Sequence, residues 1–168
     1  MKCAIVYTSN TGYTAEYARI LSEETKLPVF SLARAIKELP KGSDIIYLGW
    51  IMANYVKGCR KAAKNFNLCA VCGVGLMKSE SRIDAIRAAS GLPENLRLFS
   101  LQGGFDIQKL HGIYKILMKM MRKAIVKDIS QKVKKTPEEL EILKMMQDGG
   151  SLVCRENLAD VLAWFHSL

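Results

Sequence analysis

Thr8, Ser9, Asn10, Thr11, Gly12, Tyr13 and Thr14 follow directly on the apolar run Cys3 to Tyr7 and lead directly into a helical pattern. Hydroxyls at positions 8, 9, 11 and 14 around a single glycine suit a turn whose side-chain oxygens and backbone N–H groups converge on an anion. The first amides of a helix have no acceptor inside it, and the positive end of its dipole lies there, so the chemistry expected is phosphate binding. The stretch holds no Lys or Arg. It is therefore not the G-x-x-x-x-G-K-[ST] loop, and because Gly12 stands alone it is not G-x-G-x-x-G either. A dianion here would be held by hydroxyls and amides alone. The plainer alternative is that Thr11 merely caps the helix.

Two further stretches suit a planar ring beside such a phosphate. Trp50, Ile51, Met52, Ala53, Asn54 and Tyr55 carry two large aromatics within six residues, and an aromatic face stacks on a flat ring and excludes water from it. Trp50 or Tyr55 is the expected stacking residue. The alternative is that Trp50 completes a strand and packs inward while Tyr55 caps the next helix. Gly73, Val74, Gly75 and Leu76, followed by Met77 and Lys78, supply glycines that let backbone approach the ring and amides or carbonyls that meet its polar edge. A third contribution is expected from Gln102, Gly103, Gly104, Phe105 and Asp106.

Other chemistries find little support. His111 and His166 are isolated, with no paired ligand spacing, and no Ser/His/Asp or Cys/His constellation is visible. The five cysteines are odd in number and form no spaced disulfide framework. Cys69 and Cys72 are formally C-x-x-C, but they sit in a strand-like run where residues three apart point to opposite faces, so they read as buried small hydrophobes.

The elements that must position these residues alternate apolar runs with helical patterns, the signature of an α/β sheet of parallel strands covered on both faces. Strands are expected at Lys2 to Thr8, Val29 to Leu32, Ile45 to Trp50, Leu68 to Val74 and Leu96 to Leu101. Helices are expected at Tyr13 to Thr25, Lys57 to Phe66, Ser79 to Ser90 and Glu156 to His166. Five strands so separated suit the doubly wound order 2-1-3-4-5, with the ligand at the carboxyl edge beside strands one and three. Between strand five and the closing helix lies a helical insertion at about 105–150 within a single domain over 1–168. It comprises a long helix from Leu110 to Ile129 and a second in which Thr136 is the N-cap, Pro137 enters the first turn and Glu139 completes a capping box.

The net charge of +9 is concentrated: Lys109 to Lys135 holds nine basic residues against Asp128 alone. Lys115, Lys119, Lys123 and Lys127 are spaced by four, with Arg122 beside them, while Leu110, Ile113, Tyr114, Leu117, Met121, Ala124 and Ile125 are expected on the other side of one amphipathic helix. Such a helix either packs on the domain with its lysines in water, or holds the protein at an anionic membrane or an acidic partner. Nucleic acid is not the expected partner, since no stacking platform or groove-reading module accompanies the stripe. The apolar stretches Ile45 to Val56 and Asn65 to Met77 fall short of the roughly 18 to 20 residues a span needs, and Met1 to Tyr7 reads as a strand and not as the centre of a signal peptide. The location expected is cytoplasmic, and the membrane alternative for this helix would add peripheral contact at the inner membrane face through Lys115 to Lys135.

Ser9-x-Thr11-Gly12-x-Thr14 at the end of a first strand resembles the FMN phosphate loop of the flavodoxin-like family. Within that family the chain is most similar to the flavodoxin-type protoporphyrinogen dehydrogenase branch, which also carries an insertion after strand five and a basic, Met-containing helix like Tyr114 to Met120. The resemblance implies FMN as cofactor, with Ser9, Thr11, Gly12 and Thr14 at its phosphate. It implies an FMN-dependent oxidoreductase that takes hydrogen equivalents from a porphyrinogen and passes them to a quinone, the flavin carrying the chemistry and no side chain acting as catalyst. Two other readings stand beside this one: an electron carrier docking on a redox partner protein through its basic helix, and a flavin-free interaction module on the same fold.

Overall fold

The computed structural model describes residues 3–76, 82–106, 108, 110 and 112–168. Lys2, Met77, Lys78, Ser79, Lys109 and His111, all named above, lie outside them. By its internal contacts the chain divides into two units, one formed by 1–103 and 153–168 and the other by Gly104–Leu152.

The first unit is an α/β fold built on strands β1 (Ala4–Thr8), β2 (Val29–Ser31), β3 (Asp44–Met52), β5 (Asn67–Gly75) and β6 (Arg97–Gln102), all parallel, in the order β2-β1-β3-β5-β6. This is the doubly wound flavodoxin-like order. The central strand β3 shows why its sequence is continuously apolar: Ile45, Ile46, Tyr47 and Leu48 are all fully buried, because both faces of the strand are covered. Ile46 and Leu48 join Ile5, Tyr17, Leu21, Leu158 and Val161 on the face closed by α1 (Tyr13–Thr25) and α7 (Ala159–His166). Ile45 and Tyr47 join Val6, Leu32, Ala35, Ala62 and Ile86 on the face closed by α2 (Leu32–Glu38), α3 (Cys59–Asn65) and α4 (Ile83–Ser90).

Three local features depart from the pattern reading. Strand β2 stops at Ser31, not Leu32, because the Ser31 hydroxyl accepts from the Arg34 N–H at 3.4 Å and caps α2, which turns Leu32 into the core. Ile51 and Met52, beyond the expected strand end at Trp50, continue β3 and pair antiparallel with a short strand β4 (Tyr55–Val56), Ile51 opposite Val56 and Met52 opposite Tyr55. The connection needs only Ala53 and Asn54, both left-handed at φ 50° and 63°, as a two-residue hairpin turn requires. The closing helix begins with a 3-10 turn over Glu156–Leu158.

The second unit is a helical hairpin whose ends are joined by the antiparallel pair β7 (Gly104–Phe105) and β8 (Gly150–Ser151). Its helices are α5 (Gly112–Ser130) and α6 (Pro137–Asp148). The capping box is formed in full: Thr136 Oγ1 accepts from the Glu139 N–H at 3.2 Å and the Glu139 carboxylate accepts from the Thr136 N–H at 3.0 Å. The apolar side chains of α5 do not share one environment. Ile129 is buried and Tyr114, Met118, Ile125 and Val126 are half-buried, whereas Ile113, Ile116, Leu117, Met120 and Met121 are exposed.

Candidate functional site

The register carries the residues singled out above to one edge of the sheet. Thr8 stands beside Gly49, Gly49 beside Gly73, and Gly73 beside Ser100, so the residues after each leave β1, β3, β5 and β6 at the same carboxyl edge. Because β1 lies between β2 and β3, the strand order reverses there, and the crevice beyond β1 and β3 is where an open parallel sheet takes a ligand.

At the first junction, Ser9 to Gly12 connect β1 to α1. Ser9 Oγ accepts from the Gly12 N–H at 3.1 Å, which holds the turn closed. Gly12 is the N-cap at φ 96°, a left-handed conformation natural to glycine, and it brings no side-chain cap. The first intrahelical bond runs from the Glu16 N–H to the Gly12 carbonyl at 2.9 Å, so the amides between them have no acceptor within the helix. A Cβ built on Gly12 would meet nothing within 4 Å, which leaves the helix end open. Asn10 Nδ2 is buried with no hydrogen-bond partner. That donor is the second sign, beside the uncapped helix, of a place made for an acceptor.

The other loop residues sort by environment. Tyr13 and Thr14 are buried in the first turn, and Thr11 is half-exposed. Thr8 turns to the opposite helical layer, where its Oγ1 lies 2.7 Å from the Tyr47 hydroxyl. Tyr47 donates its proton to the Lys57 carbonyl, also at 2.7 Å, and therefore accepts from Thr8. Burial raises the Tyr47 phenol well above the ordinary tyrosine range, keeping it a neutral donor. Tyr17, buried in α1, hydrogen-bonds the Gln102 carbonyl and accepts from Asn157 Nδ2 at 2.8 Å, so α1 is tied to the end of β6. Burial raises the Tyr17 phenol as well.

The β3–β4 hairpin carries the two aromatics. Trp50, Met52, Tyr55 and Lys57 share one face by their pairing, and Lys57 Nζ sits 5.6 Å from the centre of the Trp50 ring and 5.7 Å from that of Tyr55. The Arg60 guanidinium lies 5.4 Å from the Tyr55 ring centre. Both rings are thus cation–π partners, and a positive charge lies between the two side chains expected to stack. On the opposite face, Ile51 and Val56 fold back over Gly49 and Gly73. A Cβ on Gly49 would stand 2.6 Å from Val56 Cγ1, and one on Gly73 would stand 2.8 Å from Ile51 Cδ1. Those two glycines let the hairpin approach the sheet. The hairpin is held further by the Lys57 N–H donating to the Trp50 carbonyl at 2.9 Å, the Val56 N–H donating to the buried Ser90 hydroxyl at 3.0 Å, and Arg82 donating to Asn54 Oδ1.

At the third stretch, Gly73 and Val74 lie inside β5, while Gly75 ends it and Leu76 follows at the edge. The Gly75 carbonyl accepts from the Gly103 N–H at 2.7 Å. Gly103 closes the first unit; Gly104 and Phe105 form β7 of the second. Residue patterning did not single out Lys57, Tyr47, Gly58 or Asn157, all of which hold the edge in shape. Gly58, which the expected helix from Lys57 to Phe66 placed inside its first turn, is instead the left-handed N-cap at φ 81°, so the helix starts at Cys59.

No protein-family model, curated protein or solved structure matches the chain.

Proposed function

We propose that the chain binds FMN at the crevice beyond β1 and β3 and serves as a flavin-dependent redox protein. The observation that carries this reading is the junction of β1 with α1: an uncharged turn, an uncapped helix N-terminus beside open space, and the buried, unpartnered amide of Asn10. A phosphate fits that donor set, since amides and hydroxyls can satisfy a dianion without a counter-charge. Thr11 and Asn10, with the first-turn amides of α1, would hold it. Trp50 and Tyr55 would flank the ring, with Lys57 supplying positive charge beside it, and the edge at Gly75 and Leu76 would offer backbone groups.

Bound FMN supplies reversible transfer of one or two electrons. The side chains of this chain bind, orient and exclude water. Cys3, Cys59 and Cys72 are buried, and burial lifts their thiols to about 12, 11 and 12, far from the thiolate a nucleophile needs. The substrate reading is an oxidoreductase taking hydrogen equivalents from a porphyrinogen and passing them to a quinone, which rests on the resemblance of the loop and of the insertion. An electron carrier is the second reading, favoured by the basic charge gathered on α5, a docking face for an acidic redox protein.

The test is titration of purified protein with FMN and with riboflavin, followed by flavin fluorescence. FMN binding that riboflavin, lacking the phosphate, cannot match supports the phosphate junction. Thr11→Val should weaken FMN by about tenfold, the worth of one charge-assisted hydrogen bond, and Gly12→Glu should abolish binding through strain and like charge. Equal binding of the two flavins, or none of either, would sink the reading. With the flavin-loaded protein, porphyrinogen oxidation supported by a quinone separates the enzyme from the carrier.

A further inference from the structure

Helix α5 leaves a continuous apolar ridge in water. Ile113 is 67% exposed, Ile116 61% and Met120 65%, with Leu117 and Met121 exposed beside them, at offsets of three, four, seven and eight residues along one face. Folded chains rarely leave such a stripe uncovered without a use for it. The packed face is a different one, running through Met118, Ile125 and Ile129. At the roughly 100° per residue of a helix, the exposed lysines Lys119, Lys123 and Lys127 border the ridge along one flank. Beyond the helix, Val133 is fully exposed between Lys132 and Lys134, repeating the combination of apolar tip and basic flank.

The geometry points to an anionic lipid surface as the partner of this ridge, with Ile113, Ile116, Leu117, Met120 and Met121 entering the headgroup and acyl boundary and the lysines meeting lipid phosphates. A second copy of the chain is disfavoured by charge: symmetric pairing along the ridge would set two such lysine rows together, in a segment holding nine basic residues against one acidic. A folded acidic protein would have to offer a groove complementary to a convex single-helix ridge, whereas a fluid bilayer yields to it. Among the described residues no helix is long and apolar enough to cross a membrane, so α5 would lie in the interface plane. Insertion of the ridge supplies the apolar attraction, and the lysines select anionic lipid.

This inference does not rest on the flavin reading, and its experiment needs no flavin. The purified full chain is sedimented with phosphatidylcholine vesicles and with vesicles containing phosphatidylglycerol, at low and at high salt. The expected result is binding to the anionic vesicles only. It should fall on the order of a thousandfold or more in Lys119→Glu/Lys123→Glu/Lys127→Glu, at about tenfold or more per reversed charge. It should fall about tenfold in Ile113→Ser/Ile116→Ser/Met120→Ser even at low salt. All six positions are exposed, and unchanged far-ultraviolet circular dichroism checks that both variants fold. Absence of binding to anionic vesicles overturns the inference, as does undiminished binding by the serine variant. A dimer in solution that ignores vesicles and dissociates in Ile116→Asp overturns it in favour of an interface between copies.

Discussion

Thr8 and Tyr47 meet hydroxyl to hydroxyl, 2.7 Å apart, across 39 residues of sequence, joining the end of β1 to the middle of β3. The same phenol donates to the Lys57 carbonyl, so a single buried group ties the start of the β1–α1 junction to the hairpin that carries Trp50 and Tyr55.

Tyr47→Phe keeps the ring and removes both bonds, leaving the Lys57 carbonyl and the Thr8 hydroxyl to find other partners. The expected cost is about 1–3 kcal/mol, read as a lowered urea midpoint with unchanged slope. An unchanged midpoint would mean that this hydroxyl does not hold the edge together.

Gly58 and Gly42 share nearly the same left-handed backbone, φ 81° and 82°, in different surroundings. A Cβ on Gly42 would meet nothing within 4 Å, so Gly42→Ala should cost only the conformational strain of about 1–2 kcal/mol. A Cβ on Gly58 would stand 2.6 Å from Thr8 Oγ1 and closer still to the Tyr47 oxygen. Gly58→Ala should therefore cost about 1–3 kcal/mol more than its control. Equal losses in thermal denaturation would contradict the crowding.

Asn10 separates stability from binding. Its buried Nδ2 has no partner, a situation that costs about 1–3 kcal/mol, so Asn10→Leu should leave the free protein as stable as before or more so. The same variant should bind FMN at least several-fold less tightly. A variant that loses stability yet keeps its flavin affinity would reverse the role assigned to Asn10.

The buried thiols set an alkaline limit. Cys3, Cys59 and Cys72 move from an ordinary 9.0 to about 12, 11 and 12 because burial opposes the thiolate. Below about pH 9 neither the folded nor the unfolded chain ionises these groups, and their contribution to stability is complete. Above that the unfolded chain releases protons that the folded chain retains, so stability should fall as pH rises from about 9 toward 12. Urea midpoints at pH 8 and pH 10 check the sign. A thiol reagent at neutral pH should label Cys69 and Cys154, which are half-exposed, well before the other three.

The alternation of apolar runs with helical periods was enough to mark the parallel strands, because a parallel strand buried on both faces has to be apolar throughout, as Ile45 to Leu48 are. The capping box at Thr136 and Glu139 and the start of α1 were equally legible, being local chemistry written within four residues. The hairpin of β3 and β4 was not. It depends on Gly49 and Gly73 standing side by side on neighbouring strands, and on Ala53 accepting, beside Asn54, a left-handed backbone that an alanine does not announce. The ammonium of Lys57 between Trp50 and Tyr55 follows from that hairpin, so sequence spacing alone could not reveal it. The division of α5 into a packed and an exposed apolar face has the same origin. A helical period marks which residues share a side, but only the neighbours that a folded chain brings decide which side is covered.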